Sequence, residues 1–312
     1  MSAVPSVTPD AGPAVTEAPR SKSRRKGGAA PGADRGFLFP TLFMLAFVVY
    51  FLMPLWWLLV ASTKSIDDLF SSFALWFSNF NLTDNISETF SKDGGVYWTW
   101  LRNTLMYSII SAVGAALLAA MAGYGFAKFH FRGKNLLFWI VLGSVMVPST
   151  ALAIPTYLLF SKVGLTNNPF SIILPSLVNP FGIYLMRIYA EGSVPFDLLE
   201  AARIDGAGEF RIFRQIAFRL LAPGFVTVLL FSFVATWNNY FLPLVMLSEP
   251  RWYPLTVGLA QWNAQATAGG GATAAFNTVI TGALISIIPL IIAFIFLQRY
   301  WQSGLAAGSV KG

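Results

Sequence analysis

Six stretches of this chain run with almost no polar interruption: 37–61, 103–127, 136–161, 170–186, 222–247 and 276–297. Crossing the hydrocarbon core of a bilayer as a helix takes about 20 predominantly apolar residues. None of the six holds Asp, Glu, Lys or Arg, each of which would cost roughly 2.5–3.5 kcal/mol at mid-span. The pattern therefore predicts an all-α integral membrane protein with six transmembrane helices. The fourth stretch is the shortest and carries Pro175, Asn179 and Pro180. Pro54, Pro148, Pro243 and Pro289 interrupt other spans; each removes a backbone donor and favours a kink. Such breaks suit a transport pathway, and simple packing kinks fit equally well at each site.

Residues 1–36 are a different material, rich in Pro, Gly, Ala and Ser with a basic run from Arg20 to Lys26. A segment so poor in apolar surface cannot offset its ordering entropy, so a disordered basic tail is expected there. Arg24-Arg25 invites an export-signal reading, but the apolar stretch that follows exceeds the about 7–15 residues of a signal core. An uncleaved anchor is expected instead, with the transmembrane domain filling 37–312.

Composition agrees with a lipid environment. Of 312 residues, 55% are hydrophobic and 11% charged, against about 25% charged in soluble domains. No cysteine is present, so disulfide and thiol chemistry are excluded. The net charge of +7 is mainly a topology signal. All of the 21 Lys and Arg except Lys64, Lys92, Arg102, Lys162 and Arg251 fall in the two tails, the 128–134 turn and the 187–219 segment. The excess of basic residues on alternate segments places both termini in the cytoplasm. The 62–102 segment, with Asp67, Asp68, Asp84, Glu88 and Asp93, then lies outside. Nucleic acid is not an expected partner.

The loop at 191–219, between the fourth and fifth spans, carries the most information. Pro195 suits a helix start, and Gly206 a stop, since glycine takes the left-handed conformation cheaply. A short cytoplasmic helix is predicted, with Ala201 and Ala202 as a small-residue surface for a close partner, then a turn and a second helix entering the fifth span. Taken alone, the segment also reads as an ordinary amphipathic surface helix.

The spacing of Glu200-Ala201-Ala202, Gly206 and Ile216 resembles the EAA loop of bacterial ABC importer permeases. The family continues Ile-x-Leu-Pro; here Phe218 and Arg219 stand in place of Leu-Pro, and Pro223 is the nearest substitute for the kink. The likeness extends over about residues 101–312, through GYGFAKFHFRGK (123–134), MVPSTALAIPTYLLFSKVGL (146–165), WNNYFLPLV (237–245) and FLQRYWQSGLAAGSVKG (296–312). In the last, Gly304, Leu305, Gly308, Lys311 and Gly312 match a common family ending. These stretches are similar to the maltose-type permeases of carbohydrate uptake transporter family 1. The first span and residues 85–100 depart most from the pattern, and the latter reads as an external insertion.

The resemblance implies the type I permease fold in a bacterial plasma membrane, with both termini cytoplasmic. It implies a subunit that is not itself an enzyme and holds no cofactor. Its implied partners are a second homologous permease, two copies of a cytoplasmic ABC ATPase that binds the ATP, and an extracytoplasmic sugar-binding protein. Glu200, Ala201, Ala202 and Gly206 would contact the ATPase, with Ile216 packing the second helix of the loop.

Absences point the same way. No G-x-x-x-x-G-K-[ST] phosphate loop occurs, so ATP cannot be bound in that manner here. His130, the one histidine, sits among basic residues at a membrane boundary and reads as solvated rather than catalytic. Asn179, Asn238, Asn239 and Tyr240, with Trp237, are the candidates for a substrate pathway; helix-to-helix bonding and interfacial anchoring are the other readings of the same side chains. The 248–275 segment, with Trp252, Trp262 and Gly269-Gly270-Gly271, either touches a binding protein or is a simple loop. An ATP-independent secondary transporter or channel is the alternative function, but ion coupling ordinarily uses intramembrane charges, which the spans lack. A membrane enzyme lacks any acid–base cluster. The bare spans favour a neutral sugar over a phosphorylated one.

Overall fold

The computed structural model describes residues 38–268 and 275–309, and of 275, 299 and 301–309 the backbone course alone. The expected basic tail 1–36, Gly269-Gly270-Gly271 and the terminal Lys311-Gly312 lie outside the described residues.

All regular structure among the described residues is helical. In chain order the helices are α1 (Leu38–Ser62), α2 (Ile66–Ser71), α3 (Leu82–Lys128), α4 (Lys134–Ser144), α5 (Ser149–Lys162), α6 (Phe170–Ser176) and α7 (Pro180–Ser193). There follow α8 (Phe196–Ile204), α9 (Glu209–Ile212), α10 (Phe218–Trp237), α11 (Phe241–Met246), α12 (Leu255–Ala268) and α13 (Ala275–Ser309). Five rods are long and apolar enough to span a membrane; α4 and α5, bent by 104° at their break, make a sixth if counted as one span. Among the described residues, those up to Leu52 and those from Met53 onward form separate units. In the first, Phe39, Phe43, Phe47 and Phe51 form a ladder of ring contacts along the first turns of α1, spaced four apart on one helix face.

The second unit is built on one face of α3. Ala112, Ala115, Ala116, Ala119, Ala120, Gly123 and Ala127 recur at three- and four-residue spacing and are all buried. Lipid offers no hydrophobic drive for helices to associate, so close packing of small residues must supply it. α7 and α10 lie against this face. A Cβ on Gly123 would sit 2.6 Å from the Met186 Cβ and 2.7 Å from the Arg187 backbone nitrogen, and one on Gly182 would sit 2.8 Å from Val228 Cγ1. The α3 and α7 backbones thus approach as far as glycine allows, and α10 seats its Val228 side chain on the α7 glycine.

Five of the predicted spans are present as rods of sufficient length, the third is a bent pair of helices, and four differ in extent. The second begins ahead of 103: α3 is non-helical at Lys92, Asp93, Gly94 and Gly95, and an unbroken helical run enters the span from Val96, because the polar residues just ahead of 103 lie on a helix that continues beyond the apolar layer. The third is two helices broken at 145–148, ahead of which Pro148 cannot serve as a helix donor. The fourth is likewise broken between α6 and α7, and extends to Ser193. The fifth is displaced: its helical run covers Glu209–Trp237, not 222–247. Charged Arg211, Arg214 and Arg219 hide its start from hydropathy, while Asn238-Asn239-Tyr240 ends it early.

Residues 85–100 are part of the packed body. Asn85 Nδ2 donates to the Ser62 and Lys64 carbonyls at 2.8 and 2.9 Å. Tyr97 donates to the Gly282 carbonyl at 2.7 Å, Trp100 Nε1 to the Pro250 carbonyl at 3.0 Å, and Trp262 Nε1 to Asp93 Oδ2 at 2.8 Å. These bonds brace the outer half of α3 to α12 and α13. Lys64 is buried without a carboxylate beside it; its ammonium donates to Ser72 Oγ at 2.8 Å and the Phe73 carbonyl at 2.7 Å. Most buried polar groups are bonded in this way.

Gly123→Val is expected to cost about 1–3 kcal/mol through overpacking. The measurement is the melting temperature of the detergent-purified protein. An unchanged value would mean that α7 does not seat against α3 as described.

Candidate functional site

The 191–219 loop folds as the sequence predicts in outline. Pro195 sits in extended conformation ahead of α8, and Gly206 takes φ +80°. The Ala207 N–H bonds to the Ala202 carbonyl and the Gly206 N–H to the Arg203 carbonyl, both at 3.0 Å. This paired closure is the Schellman cap, which places its left-handed residue where only glycine sits without strain. The chain thus reverses at once into α9. Across the turn Arg203 clamps Glu209, Nε to Oε1 at 2.7 Å and a second nitrogen to Oε2 at 3.4 Å. The bonded carboxylate holds the Arg203 guanidinium more firmly protonated than usual. An exposed pair adds little stability; its two-point geometry fixes the angle between α8 and α9.

α8 has two different faces. Leu199 and Ala202, three apart, are buried at 0% and 8% exposure in a core shared with Ala120, Tyr124, Met186, Ile212 and Leu221. Ile216 packs against that same core. Glu200, Ala201 and Gly206 face outward. Ala202 is therefore not on the outer small-residue surface expected for it: its 100° rotation from Ala201 turns it onto the bundle with Leu199. The outer face carries Leu198, Ile204 and, beyond the turn, Phe210, the last two 86% and 71% exposed. Apolar groups so exposed on a polar loop mark an interaction surface.

Beneath the helix start, Lys128 at the end of α3 lies 4.2 Å from the Phe196 ring centroid, a cation–π contact joining α3 to α8. The other end of the loop passes through a π turn at Phe213–Ala217, where the Phe218 N–H reaches back five residues to the Phe213 carbonyl. The irregularity expected near Pro223 thus lies upstream, and α10 runs on through that proline.

The candidate pathway residues separate into two places. Asn179 caps α7, its Oδ1 accepting from the Gly182 N–H at 2.8 Å while Nδ2 donates to Ser232 Oγ on α10 at 2.8 Å. Both ends of its amide are thereby held in helix capping and helix-to-helix bonding. Asn238, Asn239 and Tyr240 occupy the break between α10 and α11, about 9 Å along α10 from Ser232 at 1.5 Å per residue. Asn238 and Tyr240 are exposed, and Asn238 Nδ2 bonds back to the Val234 carbonyl at 3.0 Å. The Asn239 carbonyl accepts from Thr256 Oγ1 at 2.8 Å. Broken backbone of this kind is tolerated at membrane depth where it meets protein or a water-filled cavity.

Sequence reasoning missed Lys128, Leu198, Ile204 and Phe210. Ile204 was discoverable: with Leu199 and Ala202 on one face, an isoleucine two residues on falls on the other. Lys128 gave no signal, because its ring partner lies 68 positions away.

Ala202→Leu is expected to overpack the core and lower thermal stability by about 1–3 kcal/mol. Ala201→Leu should stay within about 0.5 kcal/mol of the parent. Thermal unfolding of both variants checks this; equal losses would place Ala202 on the outer surface after all.

Known proteins bear on this geometry. Residues 112–306 match the family model described as "Binding-protein-dependent transport system inner membrane component". The chain is 36% identical over 279 residues to the arabinooligosaccharides transport system permease AraQ of Halalkalibacterium halodurans, covering 89% of this chain and 95% of that one. It is 31% identical to the galactooligosaccharides transport system permease GanQ of Bacillus subtilis, covering 88% and 95% of the two chains. The fold matches a chain in the crystal structure of a bacterial ABC transporter involved in import of the acidic polysaccharide alginate, with a TM-score of 0.75 at 24% identity over 88% of this chain and 99% of that one. A multi-pass helical chain carrying this loop, matched to that model over most of its length, belongs to the family of binding-protein-dependent transport system inner membrane components.

Proposed function

We propose that this permease subunit imports a neutral sugar or short oligosaccharide, driven by ATP hydrolysis on a separate subunit that docks against α8. The observation that carries the reading is the two-faced α8: its inner face is sealed into the bundle core while its outer face leaves Leu198, Ile204 and Phe210 uncovered. A helix so arranged passes a push from outside directly to α3, α7 and α10. Glu200, Ala201 and Gly206 lie on the docking side, Ala202 and Ile216 on the packing side. Two copies of a cytoplasmic ATPase supply ATP binding, one acting on this loop and one on the equivalent loop of a second, homologous permease.

The carbohydrate assignment rests on the relatives' names, which include uptake systems for arabinooligosaccharides, galactooligosaccharides and diacetylchitobiose. Neutrality of the substrate is favoured by the lack of basic residues in the apolar stretches. A binding protein delivers substrate on the face opposite the loop, a partner supported by the family's description and by a second solved neighbour, an alginate ABC transporter in complex with a substrate-bound periplasmic protein (TM-score 0.55, 15% identity). The Asn238-Asn239-Tyr240 break is the candidate sugar contact, with amide donors beside an aromatic face. Charge bias places the loop and both termini in the cytoplasm. An ATP-independent carrier is not favoured, since the family works through binding proteins.

Co-purification from native membranes in mild detergent is expected to recover a second permease and a phosphate-loop ATPase. Ile204→Asp should lower ATPase recovery at least roughly tenfold, as loss of a central apolar contact does, while leaving the melting temperature unchanged. Full ATPase recovery with that variant would remove α8 as the docking element. The absence of cysteine makes orientation directly testable: on intact cells an impermeant maleimide should label Asp67→Cys and not Ala201→Cys. The reverse labelling would invert the topology.

A further inference from the structure

At the loop end of the bundle, the turn after α3, the first turn of α4 and the end of α7 line an open surface cavity of about 410 Å³. Its lining brings together His130, Lys134 and Arg187, with Leu136 at the rim. We propose that this cavity binds the headgroup of an anionic phospholipid.

The electrostatics are one-sided. No Asp or Glu occurs between residues 94 and 190, and the neighbouring acid, Glu191, is engaged by Arg187 Nε at 2.9 Å. Arg187 is held in place by stacking, its guanidinium carbon 3.8 Å from the Phe138 ring centroid. Lys134 donates one N–H to the Phe129 carbonyl at 3.1 Å, which anchors the ammonium and leaves two donors for a ligand. Gly133, at φ +83°, ends the turn and provides no side chain to cap α4, and it lines the hollow together with Lys134 and Asn135 of that first turn. A phosphate diester meets all of these requirements.

What selects a lipid over a soluble phosphate is the wall above the cavity. Leu136 is 67% exposed, and one turn further along α4 Trp139 and Ile140 are 68% and 59% exposed. A cationic mouth thus continues directly into an uncovered apolar helix face that carries the aromatic Trp139. This arrangement suits a headgroup below and acyl chains alongside, and basic pockets at the ends of membrane helices bind such headgroups. The cavity is on the membrane face that carries α8, since Arg187 and Glu191 lie in the last turns of α7, which leads into α8.

The test is native mass spectrometry of the full transporter, this chain with its partner subunits, equilibrated with equimolar phosphatidylglycerol and phosphatidylcholine of matched acyl chains. The parent should retain phosphatidylglycerol in preference, Lys134→Gln should weaken that retention roughly fivefold, the expected effect of one charge at the membrane surface, and Lys134→Arg should restore it. Arg132→Gln, exposed in the same turn but outside the lining, should change nothing. Equal loss in Arg132→Gln would reduce the effect to diffuse surface charge and overturn the site. No preference for phosphatidylglycerol in the assembled transporter would do the same, as would a partner subunit covering the α4 face. Displacement of the lipid by millimolar inorganic phosphate would reassign the cavity to a soluble anion. Because the readout needs neither ATP nor sugar, its failure is distinct from a failure of the transport reading.

Discussion

The structure depends on one constraint: α3 must present a seam of alanine and glycine to its neighbours, with Tyr124 the one bulky side chain near its end. In lipid, helices gain little from hiding apolar surface from one another, so the contact energy comes from how closely backbones approach. Ala112 through Ala127 let α7 and α10 pack directly on α3, and at Gly123 the α7 backbone comes as close as glycine allows. Everything else is placed by that seam. It fixes where α7 ends, and hence where α8 begins. It brings Tyr124 against Phe213 with ring centroids 5.2 Å apart, so the loop's exit rests on the same helix as its entrance.

A loop held in this way is a lever rather than a tether. α8 is joined to the bundle by the buried Leu199 and Ala202, by Lys128 under Phe196, and by Arg203 clamped to Glu209 across a turn that Gly206 alone makes without strain. Displacement of α8 must move α3, α7 and α10 or break that core, because packed interiors transmit strain. Two of the elements that such a displacement would move also border breaks. Asn179 separates α6 from α7, and Asn238 to Tyr240 separate α10 from α11, so motion at the loop reaches irregular backbone deep in the same helices.

Much of this was legible in the residues. Six apolar stretches without a charge announced a membrane bundle, and the loop's helix, turn and second helix followed from Pro195 and Gly206. Hydropathy failed where helix and apolar layer do not coincide. Glu209, Arg211, Arg214 and Arg219 are helical because they lead into α10 outside the lipid, yet their charge removed them from any span drawn by composition. The outer half of α3 was lost for the same reason, and its tertiary bonds, such as Tyr97 to the Gly282 carbonyl, join residues far apart in sequence. The facing of Ala202 was inferable from its spacing to Leu199, but a motif read as a block conceals that adjacent helical residues point apart. Lys128 needed the fold itself, since nothing local says which ring an interfacial lysine will meet.

The central claim is that α8 drives transport through its buried inner face. Its most direct test is the number of sugar molecules taken up per ATP hydrolysed by the reconstituted transporter bearing Leu199→Ala. Leu199 is fully buried, so its truncation leaves a cavity in the link between α8 and the bundle without altering the outer surface. The account predicts that hydrolysis persists while uptake per ATP falls severalfold, the two processes having come apart. An unchanged ratio, in a protein that assembles normally, would contradict it and show that force enters the bundle by another route.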